Sequence, residues 1–303
     1  MRFSIWPSLN QSWADVVAVT RHAEATGWDR AYVADHFMVD GETADSEKLA
    51  TVHEATAAIP ALATITDRIG LATLVFGITY RHPAVLANWA ATADHIAGGR
   101  LVLGVGAGWQ ENEHEQYGIE LGRPGVRIDR FEEALTVIRS IFTQRETTFE
   151  GRHYQLTRAI AEPKPLQQHL PILIGGKGDR MMGVVARHAD EWNMWGVPAQ
   201  IAERRAALDA ACERIGRDPS SIATSAQALW FFIDDESKGA AIVERVAPRA
   251  AVAGSVERLT EQVGAWRDAG VDEIIVPDFS LGTGAERTDR MDTIIEQIAP
   301  HFR

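Results

Sequence analysis

A single cysteine, Cys212, is all that this chain of 303 residues carries. No disulfide can form within it, and a reducing compartment is expected. The thiol falls in a helical spacing with Leu208, Ala211 and Ile215, the pattern of a packed core position. Metal ligands are equally sparse. The ten histidines are scattered, with no His-x-His pair and no His-Glu-x-x-His segment. No metal site is expected. The Gly-x-Ser-x-Gly nucleophile elbow is missing as well. No apolar run is long enough to span a bilayer, so no membrane partner is expected. The first apolar stretch, Arg2–Trp6, follows no basic region and no cleavage site, which makes the cytoplasm the default location. Clustered Lys and Arg are absent too. The formal charge is -12 and the acids are spread along the chain, which argues against a nucleic-acid partner.

What is present is ordinary globular material, 46% apolar and 24% charged, enough to bury a sizeable core. Short apolar runs alternate with amphipathic helical patterns. Eight runs read as strands: Phe3–Trp6, Ala31–Ala34, Ile69–Val75, Leu101–Val105, Ile172–Ile174, Glu191–Trp195, Ala226–Ile233 and Glu273–Val276. Leu86, Trp89, Ala93 and Ile96 keep helical spacing up to Gly98-Gly99. Val256, Leu259, Val263 and Trp266 do so between a Ser255 N-cap and Gly270. Strands separated by helices imply right-handed crossovers and a parallel sheet, and eight such units favour a closed (β/α)₈ TIM barrel. One barrel domain over 1–303 is expected, with insertions near 36–50 and 145–165. The second insertion has the pattern of a small hairpin, Thr147–Phe149 against His153–Leu156.

In such a barrel the chemistry gathers at the C-terminal ends of the strands. Asp35-His36 ends the second run, and histidine suits proton transfer near neutral pH. A pair that merely caps the loop entry is the alternative. Leu74–Pro83 ends the third run, with a bulge at Gly77 and Pro83 opening a helix. Leu103–Trp109 ends the fourth with glycines at alternate positions. These would let a flat ligand lie near the backbone, and Gln110–His114 adds polar groups after it. Ile172–Arg180 runs from a strand through Gly175, Gly176 and Gly178 into a helix. Backbone N–H groups and a helix N-terminus make a phosphate cradle there, with Lys177 or Arg180 as cation. A tight structural turn is the competing reading.

Five segments in this order resemble the bacterial luciferase-like superfamily, in the branch that uses the deazaflavin coenzyme F420. They are Asp35-His36, Tyr80–Pro83, Gly99–Trp109, Pro171–Gly178 and Arg187–Asn193. The resemblance implies a (β/α)₈ barrel with the cofactor ring in its C-terminal mouth. It implies that Gly175 and Gly176 bind the cofactor phosphate. A non-proline cis peptide in the Val75, Phe76, Gly77 bulge would back the ring. Asp35 and His36 would meet the ring and the reacting centre, His36 as the catalytic group and Asp35 mainly in binding. Ala107, Gly108 and Asn112 would line the pocket. The implied reaction is hydride transfer between reduced deazaflavin and a small organic substrate. A homodimer and a separate cofactor reductase are implied as partners.

One departure bears on the substrate. In the family's sugar-phosphate dehydrogenases a glutamate just after the strand-four glycines donates a proton, and Trp109 stands there, with Glu111 and Glu113 nearby as the alternative acids. This points away from sugar phosphates and toward an apolar or aromatic substrate, as do Trp6, Phe37 and Trp195 at other strand ends. The first alternative is a monooxygenase using reduced FMN and O₂. A non-catalytic flavin-binding protein is the second. An aldolase or isomerase barrel is the third, with Lys164 and Lys177 as its mouth lysines.

Overall fold

In the computed structural model, which describes residues 1–303, the expected barrel is present and closed. Its first strands are β1 (Arg2–Trp6), β2 (Arg30–Val33), β3 (Gly70–Thr73), the short β4 (Phe76–Gly77) and β5 (Leu101–Gly106). A hairpin of β6 (Thr147–Glu150) and β7 (Gln155–Ala159) follows. Then come β8 (Ile172–Gly175), β9 (Glu191–Trp195) and β10 (Ala223–Gln227), and after them β11 (Leu229–Phe232), β12 (Ala251–Gly254) and β13 (Glu273–Pro277). Eight of these pair in parallel in the cyclic order β1, β2, β3, β5, β8, β9, β10, β13, and β1 meets β13 to complete the ring. β4 continues β3 along β5. The helices are α1 (Trp13–Thr26), α2 (Ala55–Ala63), α3 (Pro83–Ile96), α4 (Glu111–Tyr117) and α5 (Pro124–Thr143). α6 (Asp179–His188), α7 (Pro198–Glu213), α8 (Gly239–Arg245), α9 (Val256–Asp268) and α10 (Gly284–Thr293) follow.

Local chemistry accounts for several boundaries. Pro83 opens α3 where its missing N–H costs nothing, and the His82 ring accepts from Ala84 N–H. Ser255 caps α9 by accepting from Arg258 N–H, and Gly270 follows at φ +85. Two strand assignments need correction. The run Ala226–Ile233 is two strands in different sheets: β10 begins at Ala223 and ends at Gln227, while β11 pairs with β12 outside the barrel. The polar Thr224 and Ser225 mask the start of β10, and only Ala228 separates it from β11, so no turn residue marks the break. The run Ile69–Val75 ends early, at Thr73. The non-proline cis peptide lies at Leu74–Val75, one bond ahead of the implied bulge, and pairing passes there to β4. Cys212 is buried in α7, whereas Ile215 lies past the helix end and is exposed.

Strand alternation divides the residues between two cores. Phe3, Ile5, Trp192, Ile274 and Val276 face the helices in the main core. The other face lines the lumen in layers. At the N-terminal end Glu273, fully buried, accepts from Arg2, Ser4, Arg30 and Tyr32, and Glu191 takes a second fork of Arg30. Above it Tyr32, Ala72, Val102, Leu173 and Ile275 pack together. Trp6 and Val75 close this layer toward the C-terminal end. The lumen is therefore filled, and the open space lies only above Val75.

Candidate active site

That space is a cleft of about 880 Å³ over the C-terminal ends of the strands. Its lining includes Asp35, His36, Val75, Gly77, Ala107, Gly108, Gly175 and Gly176. Two expected residues lie elsewhere. Phe76 is fully buried on the outer side of the barrel, edge-on to Trp89 at 4.8 Å. Asn112 sits on α4 and donates to Val39 and Glu42 carbonyls at 2.9 and 3.1 Å, so its amide ties down the loop after β2. Helix α4 turns Asn112 toward that loop and its neighbour Glu113 inward, a difference that a loop reading of Gln110–His114 could not register.

The alternating glycines of β5 and just after it face their own chain. A Cβ at Gly104 would lie 1.8 Å from Thr73 O, one at Gly106 2.7 Å from Val75 Cγ2, and one at Gly108 2.7 Å from Thr79 Oγ1. Gly104 is further stapled to Thr73, whose hydroxyl donates to Gly104 O and accepts from Gly104 N–H. The alternating glycines thus make room for the displaced third strand and the turn after it, and Gly106 and Gly108 also border the cleft. Val75, wedged between Gly106 and Gly175, forms the floor of the cleft.

His36 is partly exposed to the cleft, and its Nδ1 lies 2.9 Å from Glu113 Oε1. Glu113 is fully buried and also accepts from Phe37 N–H at 2.9 Å and from the Tyr80 hydroxyl. Burial opposes its charge, but the His36, Phe37 and Tyr80 contacts outweigh that and hold the carboxyl below its ordinary value. Burial, then the Glu113 carboxylate, raises the Tyr80 hydroxyl, which stays protonated. The Trp109 ring stands edge-on to His36 at 5.5 Å.

Asp35 does not orient His36. It is buried against Arg81, which forks onto both its oxygens at 2.6 and 2.9 Å, and it accepts from Gly77 N–H at 3.1 Å. Burial raises its pKa despite those partners. Arg81 also reaches Glu54, and its guanidinium lies over the Phe76 ring at 4.9 Å. This pair fixes the backbone under the cleft.

Across the cleft, β8 runs into the glycine loop and α6. Gly176 N–H is taken by Asn193 O. The backbone N–H groups from Lys177 to Met181 make no hydrogen bond within the protein, and all five residues line the cleft. Gly176 has φ +146, a conformation open to glycine, and its Cβ would meet Met181 at 2.9 Å. Two cations border the loop without a carboxylate partner. They are Lys177 and Arg127, the latter bonded only to Gly122 O. Arg180 is spent on Asp129. Open N–H groups, a helix N-terminus and two unpaired cations fit a phosphate group. Lys164 lies away from the mouth, its Nζ on the Ile141 and Gln144 carbonyls at the end of α5, so it is no site lysine.

Sequence reasoning missed Glu113 as a partner, Tyr80, Arg81 and Arg127 as functional groups, and Asn193 and Gln227 in the lining. Tyr80, Arg81 and Asn193 stood inside recognised segments, which was the available signal. Among the aromatics, Trp109 and Trp195 line the cleft. Trp6 packs on Trp195 and Phe279 at 5.8 and 5.5 Å, and Phe37 stacks on Tyr117 behind the rim.

An anion-ready helix end and an imidazole with a free nitrogen thus open on one cleft of a (β/α)₈ barrel. The sequence profile of the luciferase-like monooxygenases matches residues 1–241, and the chain belongs to that family. It is an oxidoreductase of the luciferase-like kind, whose members depend on F420 or FMN. An uncharacterized protein of Mycobacterium tuberculosis is 30% identical over 291 residues, 90% of this chain and 91% of its own. The pyrimidine monooxygenase RutA of Cronobacter sakazakii is 32% identical over 186 residues, 59% of this chain and 53% of its own. The structure of an F420-dependent secondary alcohol dehydrogenase, with an F420-acetone adduct, superposes with TM-score 0.85 at 20% identity. It covers 100% of this chain and 99% of that one. No helix is long and apolar enough to cross a membrane.

Proposed function

We propose that this oxidoreductase moves a hydride between reduced coenzyme F420 and a small, apolar organic substrate. The carrying observation is that the phosphate cradle and the free Nε2 of His36 open on the same cleft, above the Val75 floor. The reduced deazaflavin supplies the hydride. The N–H groups of Lys177–Met181, with Lys177 and Arg127, would hold its phosphate, and Val75, Gly77, Ala107 and Gly108 would line its ring. His36 delivers the proton to the substrate atom, so that hydride and proton together make a two-electron reduction of a carbonyl or activated alkene. Trp109, Trp195 and Met194 give the substrate side an apolar wall. A second reading, a monooxygenase using reduced FMN and O₂, is favoured by the match to RutA. Either reading carries with it a separate reductase and a homodimer.

Binding titrations with F420 and FMN test the choice. F420 is expected to bind at least about ten-fold tighter, about 1.4 kcal/mol. Equal affinity, or tighter FMN, puts the monooxygenase first. Tight binding without oxidation of reduced F420 by any of a panel of enones, quinones and ketones would leave a carrier instead.

A further inference from the structure

We infer that Glu113 is a positioning residue that fixes the His36 imidazole with its proton on Nδ1, so that Nε2 is the nitrogen that works in the cleft. The inference rests on reading His36 as the proton-transfer group of the site.

The geometry leaves the ring little choice. Glu113 is fully buried and gathers three donors, His36 Nδ1, Phe37 N–H and the Tyr80 hydroxyl. An ionised carboxylate has only acceptors, so the ring nitrogen facing it must carry the hydrogen. Its lowered pKa is consistent with a charge held through the neutral range. Nε2 makes no hydrogen bond within the protein. Asp35, the neighbour in sequence, is committed to Arg81 and to Gly77 N–H. Trp109 packs edge-on against the imidazole.

The assignment also gives the Trp109 position a meaning. No carboxylate stands at the end of β5, but Glu113 lies one helical turn further on and acts through His36 rather than on the substrate. Proton and charge then balance on one ring. The neutral imidazole keeps Nδ1–H toward Glu113 and a lone pair at Nε2. The imidazolium carries its second proton at Nε2, and the buried carboxylate stabilises it without taking the proton.

Ring ¹⁵N spectra of the cofactor-free protein test this without any substrate, with His36→Ala used to assign the resonances. At the basic end of its titration, wild-type His36 is expected as the Nδ1–H tautomer. A dominant Nε2–H form would overturn the inference, and this measurement decides even if a Glu113 variant fails to fold. In Glu113→Leu the tautomer is expected to shift toward Nε2–H. Turnover should fall at least about ten-fold, with F420 affinity held within about three-fold. An unchanged Nδ1–H tautomer in Glu113→Leu would show that another group sets the ring and would sink the assignment. The functional reading stands or falls separately, on whether His36→Ala loses turnover.

Discussion

His36→Ala removes a ring that spans the distance from a buried carboxylate to open cleft. Its loss should leave F420 affinity near wild type, because the phosphate cradle lies across the cleft. Turnover should fall by about 10²-fold, the lower end for a general acid. Steady-state kinetics with any accepted substrate decide it, and a wild-type rate would make His36 structural. Two glycines of the cradle should separate conformation from space. Gly178 has nothing within 4 Å of its would-be Cβ, so Gly178→Ala should keep its melting temperature. Gly176→Val forces a branched side chain into φ +146, at a cost of about 1–3 kcal/mol. It should also weaken F420 binding at least about ten-fold, since the loop must shift to admit the branch. Calorimetric titration beside a thermal melt would show both effects, and normal binding by Gly176→Val would reduce the loop to a structural turn.

Between elements, the junction of β3 with β5 is the tightest feature. Gly104→Ala would place a methyl 1.8 Å from a carbonyl oxygen in two buried, hydrogen-bonded strands. No side-chain rotation relieves that contact, and a loss of at least about 3 kcal/mol is expected in urea unfolding. The ion cluster at the other end of the lumen gives a second case. Glu273→Leu strips Arg30 of one carboxylate and leaves Ser4 and Tyr32 without their acceptor. A cost of about 3–5 kcal/mol is expected, with cofactor affinity unchanged because the cluster lies below the packed middle layer. The glycines of β5 were visible in the sequence, but their reason was not. Their contacts, Thr73, Val75 and Thr79, stand about thirty residues away and look ordinary there. Glu113 was hidden in another way. In the run Gln110–His114 it resembles any solvated acid, and only the pairing of α4 with the loop after β2 turns it inward.

For the molecule as a whole, the eight-fold alternation was legible because most barrel strands are buried on both faces and read as short continuous apolar runs between amphipathic helical patterns. The break at Gln227 was not, since only Ala228 separates β10 from β11 and no glycine or proline marks it. Acid should unfold the protein through its paired carboxylates. Burial works against the charges of Glu113 and Asp190. The contacts of His36 and Phe37 with the first, and of Ile172 N–H and Arg139 with the second, outweigh it and lower their pKa below 4.5 and 3.8. A lowered folded-state pKa adds stability that is fully present above the unfolded value and lost as pH falls through the folded one. Asp35 and Asp278, raised by burial, run the other way and soften the loss. Glu24, Glu54 and Glu133 join the lowered group, so the balance is acid-labile. The melting temperature should hold from neutral pH to about 5 and fall below about 4.5. Circular dichroism melts across that range would expose the opposite sign as a rise.

Helix α4 grips the loop after β2 through amides of Gln110, Asn112 and Gln116 on the Met38, Val39 and Glu42 carbonyls, while its Glu113 grips His36 at the root of that loop. The loop's anchoring and the aim of the imidazole thus rest on one short helix. A shift of the loop must either break these contacts with α4 or drag Glu113 along, so loop placement and imidazole aim are coupled. A change in the loop's length is therefore expected to register in turnover through the aim of His36.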